Sequence, residues 1–145
     1  MAAIVGMGVA VDLAVAARAE HWSRLSGLRE AFLAEVQRDE RLRVLAPGAK
    51  AGGVSPAIVA LLVPGAPAEV WLHHLADRGV LVGTGSACQS RKPDISPTYA
   101  ALGLLPSEAR CVLRISFGPQ SELAEARCAG RALLELTPEL GVLKP

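Results

Sequence analysis

Apolar residues recur every three or four positions through the first forty residues of the chain, which is the spacing of one face of an α-helix. The apolar stripe consists of Trp22, Leu25, Leu28, Phe32 and Val36. The opposite face is charged. This pattern predicts a long helix from about Ile4 to Arg41, and the Ser26-Gly27 pair marks a point where that helix could be interrupted.

Beyond a glycine-rich loop at 46–53, short apolar runs alternate with helical patterns. We expect strands at 58–63, 80–83 and 111–118, and helices at 66–79, 96–105 and 121–136. The strand at 111–118 alternates cleanly, so that Arg114 shares one face with Val112 and Ser116 while the other face is apolar. The order of elements predicts a small α/β domain in which helices pack against an open sheet.

The composition narrows the class of protein. The chain has 145 residues, 51% of them hydrophobic, and a net charge of +1, which indicates one globular domain over residues 1–145 and gives no reason to expect a nucleic-acid partner. The apolar start is broken by Asp12 and Arg18, so we expect it to be too short to span a membrane and expect no membrane partner. An odd number of cysteines without a CxxC pair makes a zinc site improbable and favours a reducing, cytoplasmic location.

Cys88 is the first candidate for chemistry. Gly83 and Gly85 let the backbone leave the preceding strand, and the polar sequence after Cys88 belongs in water. Arg91 and Lys92 place positive charge nearby, which favours the reactive thiolate. The alternative is a small buried residue, as most cysteines are.

Arg114 is the second candidate, because an arginine on a rigid strand presents a planar fork suited to a carboxylate. The alternative is an arginine on the wet face of a half-exposed strand. The other two cysteines are interpreted as structural. Cys111 faces the apolar side of its strand, and Cys128 lies in a helix without a neighbouring base.

Four stretches resemble the C-terminal, small domain of the cysteine desulfurases, which are pyridoxal-phosphate enzymes of aminotransferase class V. They are "AAIVGMGVAVDLA", "RGVLVGTGSAC", "PTYAALGL" and "LRISFG". The resemblance runs along essentially the whole chain. It implies a mostly antiparallel sheet covered by the long N-terminal helix and the C-terminal helix.

The resemblance also implies roles for both candidates. Cys88 falls on the cysteine that accepts sulfur from L-cysteine as a persulfide, and Arg114 falls on the arginine that binds the substrate carboxylate. The sulfur would pass to an acceptor protein for iron-sulfur cluster or thio-cofactor synthesis. One departure is Pro119, since in the family an arginine usually follows the glycine that corresponds to Gly118.

The large, pyridoxal-phosphate-binding domain of the family is not represented in this sequence. The three lysines, Lys50, Lys92 and Lys144, do not lie in a setting like that of the family's Schiff-base lysine, so we expect no covalent cofactor on this chain alone. Three hypotheses follow. The chain is the small domain of a desulfurase that works with a separately encoded large domain, a stand-alone persulfide carrier or interaction module, or an inactive remnant.

Overall fold

The chain folds into one four-stranded sheet with two major helices packed together beside it. The structure, a computed structural model, describes residues 1–46, 53–85 and 96–143. The helices are α1 (Ala2–Val36), α2 (Ala68–Ala76), α3 (Pro97–Ala101), α4 (Pro106–Ala109) and α5 (Leu123–Leu140), and the strands are β1 (Arg43–Val44), β2 (Ile58–Leu62), β3 (Gly83–Thr84) and β4 (Val112–Ser116).

The strands lie in the order β1-β2-β4-β3, and every neighbouring pair is antiparallel. The expected fold class is therefore confirmed, with a small antiparallel sheet, a long N-terminal helix and a C-terminal helix. The longest pairing joins β2 and β4, where Ile58 lies opposite Ser116 and Leu62 opposite Val112.

The two faces of this sheet differ in burial. On one face, Val59 and Leu61 lie beside Leu113 and Ile115, and all four side chains are buried. On the other face, burial fades along the strand from Val112 to the exposed end at Ser116, with a half-buried residue between them. The first face supports the core, and the second leaves room for a functional side chain.

The C-terminal half of α1 packs against α5. Gly130 of α5 allows a close approach, since a Cβ atom at this position would lie 2.6 Å from the Cβ of Glu35 and 3.3 Å from the carbonyl oxygen of Phe32. Glu35 is buried and forms ion pairs with Arg38 at 2.7 Å and with Arg131 at 3.6 Å. The contact therefore combines apolar packing with a neutralised carboxylate.

The N-terminal half of α1 has a different environment. Residues 1–16 are all exposed, and the first buried side chain of the helix is that of Leu28. By length and composition alone, the helix is long and apolar enough to cross a membrane, a test that core helices of soluble proteins also pass. α1 continues unbroken through Asp12 and Arg18, so the helix as a whole is longer than the apolar start on which the expectation rested, and the absence of a membrane partner stays a prediction.

Several element boundaries also differ from the expectation. α1 ends at Val36 and is not interrupted at Ser26-Gly27. The strand expected at 80–83 is reduced to the two residues of β3, and β1 and α4 were not expected. α5 extends past Pro138, which lies in its last turn and removes one intrahelical hydrogen bond there.

Candidate functional site

Arg114 lies at the middle of β4, on the face of the sheet that is only partly buried. Its backbone pairs with Ala60 of β2 on one side and with Gly83 of β3 on the other. Both neighbours are small, so the long side chain has space above the sheet. A central strand with a partner on each side gives this arginine a rigid base, as the sequence predicted.

Gly83 sets the direction of the Arg114 side chain. A Cβ atom at Gly83 would lie 2.9 Å from Nη2 and 3.3 Å from Cζ of Arg114. The guanidinium therefore occupies the space that a side chain at position 83 would need. Directly opposite residues of antiparallel strands project to the same side, so this contact follows from the register.

Gly85 holds the tip of the same arginine. Nη1 of Arg114 donates a hydrogen bond of 2.7 Å to the carbonyl oxygen of Gly85. Gly85 has a φ of +51°, a left-handed conformation that glycine adopts without strain. The strand thus turns where its carbonyl meets the arginine, three positions before Cys88.

Cys88 itself lies outside the described residues, together with the rest of 86–95. The predicted roles of both Cys88 and Arg114 stay predictions. The described part of the chain brings Arg114 to Gly85, directly after β3, from which residue 88 is reached in three steps along the sequence.

Tyr99 of α3 is a further neighbour of Arg114 that the sequence did not single out. Burial raises the pKa of the Tyr99 hydroxyl above its ordinary value, and the positive charge of Arg114 opposes that shift. Tyr99 therefore stays protonated at neutral pH, as a half-buried hydroxyl near the guanidinium. The sequence signal that could have found it is its place in the stretch "PTYAALGL", directly after the loop that carries Cys88.

The two described cysteines differ in access. Cys111 is buried, and burial, followed by the nearby charge of Glu108, raises the pKa of its thiol. It is therefore a poor nucleophile, as predicted. Cys128 is exposed on α5, so interpreting it as a structural residue underestimated its access to reagents.

Cys128 lies in an open groove of about 520 Å³ on the surface of α5. The groove is lined by Arg78, Ala124, Arg127, Cys128, Arg131, Ala132 and Glu135. Neither Arg114 nor Tyr99 lines it. The cationic groove and the predicted carboxylate-binding arginine are therefore separate features of the surface.

Within residues 1–46, 53–85 and 96–143 there is no lysine and no cluster of His, Cys, Asp or Glu side chains that could hold a metal ion. A Schiff base to a carbonyl cofactor needs a lysine amine. Lys50, Lys92 and Lys144 all lie outside the described residues, so the expectation of no covalent cofactor on this chain stays a prediction, and the described residues show no cluster of metal ligands.

Comparisons with known proteins show what the chain is similar to. No family model matches the chain. Over 126 residues it is 28% identical to a protein from Lactobacillus delbrueckii subsp. bulgaricus described as a NifS/IcsS protein homolog, a match that covers 87% of this chain and 32% of that protein. Over 118 residues it is 30% identical to the cysteine desulfurase IscS of Dictyoglomus turgidum, covering 81% of this chain and 29% of the relative.

Solved structures agree on the fold. The chain superposes on the NifS-like protein from Rickettsia africae with a TM-score of 0.77 and 18% identity, over 94% of this chain and 34% of that one. A second NifS-like protein gives a TM-score of 0.74, also at 18% identity, over 93% of this chain and 33% of its own.

The fold and the sequence matches together define a small domain of the kind found in NifS-like proteins. The chain is related to the cysteine desulfurases of the NifS and IscS type, which confirms the resemblance. It spans only about a third of the length of the relatives that it matches.

Proposed function

We propose that this chain is the sulfur-accepting part of a cysteine desulfurase. Cys88 would take sulfur from L-cysteine as a persulfide, and Arg114 would hold the substrate by its carboxylate. The persulfide sulfur would pass to an acceptor protein for iron-sulfur cluster or thio-cofactor synthesis, in a reducing cytoplasm. The relatives support a sulfur-transfer role of this general kind.

The observation that carries the proposal is the position of Arg114. Among the described residues its guanidinium makes one hydrogen bond, to the carbonyl oxygen of Gly85. A guanidinium has five donors in a planar fork, so one edge can hold the chain while another takes up a carboxylate in a bidentate pair. A substrate held there would lie beside the end of β3, close along the sequence to Cys88.

The sulfur transfer itself would balance without an external oxidant. The thiolate of Cys88 attacks the sulfur of L-cysteine, the S–S bond forms, and the C–S bond of the substrate breaks. The electrons of the broken bond stay on carbon, which takes up a proton. L-cysteine and the Cys88 thiol thus become L-alanine and a Cys88 persulfide.

Breaking that C–S bond needs an electron sink, which pyridoxal phosphate supplies in the cysteine desulfurases. None of the three lysines of the chain lies in a sequence setting like that of the family's Schiff-base lysine. We therefore propose that a separate, pyridoxal-phosphate-binding large domain works with this chain. This proposal accords with the chain spanning about a third of its relatives.

A stand-alone persulfide carrier is the second candidate function. An exposed thiol would be enough for such a carrier, and a carboxylate clamp would add nothing to it. The placement of Arg114 against Gly83 and Gly85 favours the desulfurase role. An inactive remnant would need neither the arginine nor the cysteine.

The test combines the purified chain with the large domain of the Dictyoglomus turgidum relative, L-cysteine and pyridoxal phosphate. Alanine, sulfide and the modified cysteine are then measured. We expect equal amounts of alanine and Cys88 persulfide in a single turnover, and no persulfide on a Cys88→Ser variant. Persulfide on Cys128 in place of Cys88 would contradict the assignment.

Arg114→Lys tests the carboxylate contact. Lysine keeps the charge but loses the planar geometry, and a charge-assisted contact contributes about 1.5–3 kcal/mol, so kcat/KM for L-cysteine should fall roughly 10- to 100-fold. The melting temperature should change little, because the Arg114 head is only half-buried. Unchanged kcat/KM would remove this role, and a lost fold would make the arginine structural.

Gly83→Ala tests the same contact without altering the arginine. The added methyl group displaces the flexible guanidinium end, so we expect a rise in KM of about tenfold and a change in stability within about 0.5 kcal/mol. Gly118→Ala is the matched control, since no atom lies within 4 Å of a Cβ at that position. Equal KM values for the two variants would separate Gly83 from substrate binding.

A further inference from the structure

The cationic groove beside Cys128 has no part in the proposed function. Its volume of about 520 Å³ falls in the range of small-molecule sites, which runs from roughly 300 to 1,000 Å³. Three arginines and one glutamate line it, so its formal charge is +2, whereas the whole chain carries +1. Positive charge is therefore concentrated in a groove of the size that a small anion would fill.

One face of α5 forms the floor of the groove. Ala124, Cys128 and Ala132 follow one another at intervals of four residues, so they lie in a row along the helix. The two alanines have no atoms beyond Cβ, and they leave open space on both sides of the thiol. Cys128 is exposed, so a molecule in the groove can reach its sulfur.

Three guanidinium groups line the groove around that thiol. Arg127 and Arg131 belong to α5, and Arg78 follows the end of α2, which packs against α5. Arg131 also pairs with the buried Glu35 at 3.6 Å. Among the described residues, neither Arg78 nor Arg127 forms an ion pair with a carboxylate. Both are therefore available to an incoming anion.

We propose that the cationic groove binds small anionic disulfides and that Cys128 exchanges with them to form a mixed disulfide. The ligand class is a disulfide that carries a carboxylate on each arm. The guanidinium groups hold the carboxylates in charge-assisted contacts, which brings the disulfide bond to the thiol on the floor of the groove. A bound anion reacts faster than a free one because the groove raises its local concentration and orients it.

The exchange balances without a further oxidant or reductant. The Cys128 thiol loses its proton, its thiolate attacks one sulfur of the disulfide, the new S–S bond forms and the old S–S bond breaks. The leaving sulfur takes the electron pair of the broken bond and then a proton. Cys128 is thereby oxidised and one half of the disulfide is reduced to a thiol. An incoming thiol reverses the exchange by the same route.

This proposal is independent of the proposed function, since it needs neither pyridoxal phosphate nor L-cysteine. Arg114, the predicted carboxylate-binding residue of that function, does not line the groove. Cys111 is buried, so reagents in solution do not reach it as they reach Cys128. A Cys88→Ser chain, the parent of the variants below, therefore isolates the reaction of Cys128.

The test measures how fast the parent chain forms a mixed disulfide with three disulfides of similar length. Dithiodipropionate carries two carboxylates, hydroxyethyl disulfide is neutral, and cystamine carries two ammonium groups. Each rate is divided by that of an Arg78→Gln and Arg127→Gln double variant, the groove variant, so that the chemistry of each leaving thiol cancels. Arg18→Gln with Arg110→Gln is the matched control, since it removes the same charge from exposed positions outside the groove.

The groove variant should react with dithiodipropionate about tenfold more slowly than the parent, because it no longer gathers the dianion. Its rate with hydroxyethyl disulfide should stay within about twofold, and this neutral reagent reports any change in the thiol itself. Its rate with cystamine should rise. The matched control should react like the parent with all three. Salt at about 1 M should remove the difference between parent and groove variant, because exposed charges are then screened.

Suberate tests binding without the covalent step. It carries the same two carboxylates as dithiodipropionate, with methylene groups in place of the two sulfurs. It should slow the reaction of the parent with hydroxyethyl disulfide at least about twofold once half of the grooves are occupied. Sodium chloride of equal ionic strength is the control for salt, and the groove variant should not be protected.

Three results would overturn the proposal. Equal slowing of the groove variant with all three disulfides would mean that the arginines act on the thiol and not on the ligand. A slower reaction with dithiodipropionate that the matched control shares would assign the effect to net charge. A mixed disulfide that peptide mapping places on Cys111, or no protection of the parent by suberate, would remove the groove as the site. The salt and suberate measurements on the parent decide the question without a variant at the arginines.

Discussion

The two halves of α1 belong to one unbroken helix but have opposite surroundings. From Leu28 to Val36 the helix buries one stripe and keeps charged residues on its outer face. From Ala2 to Ala17 it is apolar on every side and is exposed throughout except for Ala17, which is half-buried. One neighbouring helix is enough to bury a single apolar stripe, whereas a helix that is apolar on all sides must be surrounded before its surface is buried.

The difference in burial indicates which half of α1 contributes to the free energy of unfolding of the isolated chain. Phe32 of the packed half is fully buried and meets Phe117 edge to face, with ring centroids 5.9 Å apart. No residue among positions 1–16 is buried. Global stability should therefore depend on the second half of α1, and the first half should open locally without unfolding the domain.

The largest expected effect comes from deleting a side chain in the packed half. Phe32→Ala should lower the free energy of unfolding by about 3–5 kcal/mol, because it removes buried contacts and leaves a cavity. Val9→Ala in the exposed half should change it by less than about 0.5 kcal/mol. Urea titrations of both variants make the comparison, and similar losses would mean that the halves unfold as one unit.

The next effect comes from adding a methyl group between α1 and α5. Gly130→Ala would place a Cβ against the Cβ of Glu35 and the carbonyl oxygen of Phe32, neither of which can swing away. Overpacking of this kind lowers the free energy of unfolding by about 1–3 kcal/mol. A stabilising result in thermal unfolding would show that the two helices can separate freely.

The sequence was enough to predict those elements of the fold whose apolar residues recur at a regular spacing. The stripe from Trp22 to Val36 and the run at 58–63 gave α1 and β2, because periodicity directly encodes which face is buried. β1 was not predicted in this way, and of the strand predicted at 80–83 only the two residues of β3 formed, one of them within the predicted range. β1 and β3 exist because β2 and β4 offer backbone partners, not because of their own sequences.

The candidate site was predictable only in part, for a similar reason. The position of Arg114 on the less buried face of β4 follows from alternation alone. The contacts that orient it, with Gly83 and the carbonyl of Gly85, depend on the register between β3 and β4. A backbone carbonyl carries no sequence signal, so this part of the site required the structure.

A smaller effect compares glycines in the two halves of α1. Gly27→Ala adds a methyl group in open space, so the better helix propensity of alanine should raise the free energy of unfolding by about 0.5–1 kcal/mol. Gly8→Ala is equally unhindered. It should strengthen only the local helix, seen by hydrogen exchange, and leave the melting temperature unchanged. Equal increases in melting temperature would extend the cooperative unit to the N-terminus.

The smallest effect uses the buried thiol of Cys111 as a reporter of the packed region. Burial raises its pKa in the folded chain, so as the pH rises past about 8.5 the unfolded chain loses this proton first. Below that pH both states keep the proton, and above it the free energy of unfolding falls until the folded thiol also ionises. Urea titrations at pH 7 and pH 9.5 should show this decrease for the unaltered chain and for Val9→Ala, whose exposed site is independent of the core.

Cys111→Ala should make the decrease in the free energy of unfolding smaller, whereas Cys128→Ala, at an exposed site, should leave it unchanged. A decrease that persists in full without Cys111 would assign the pH dependence to another group.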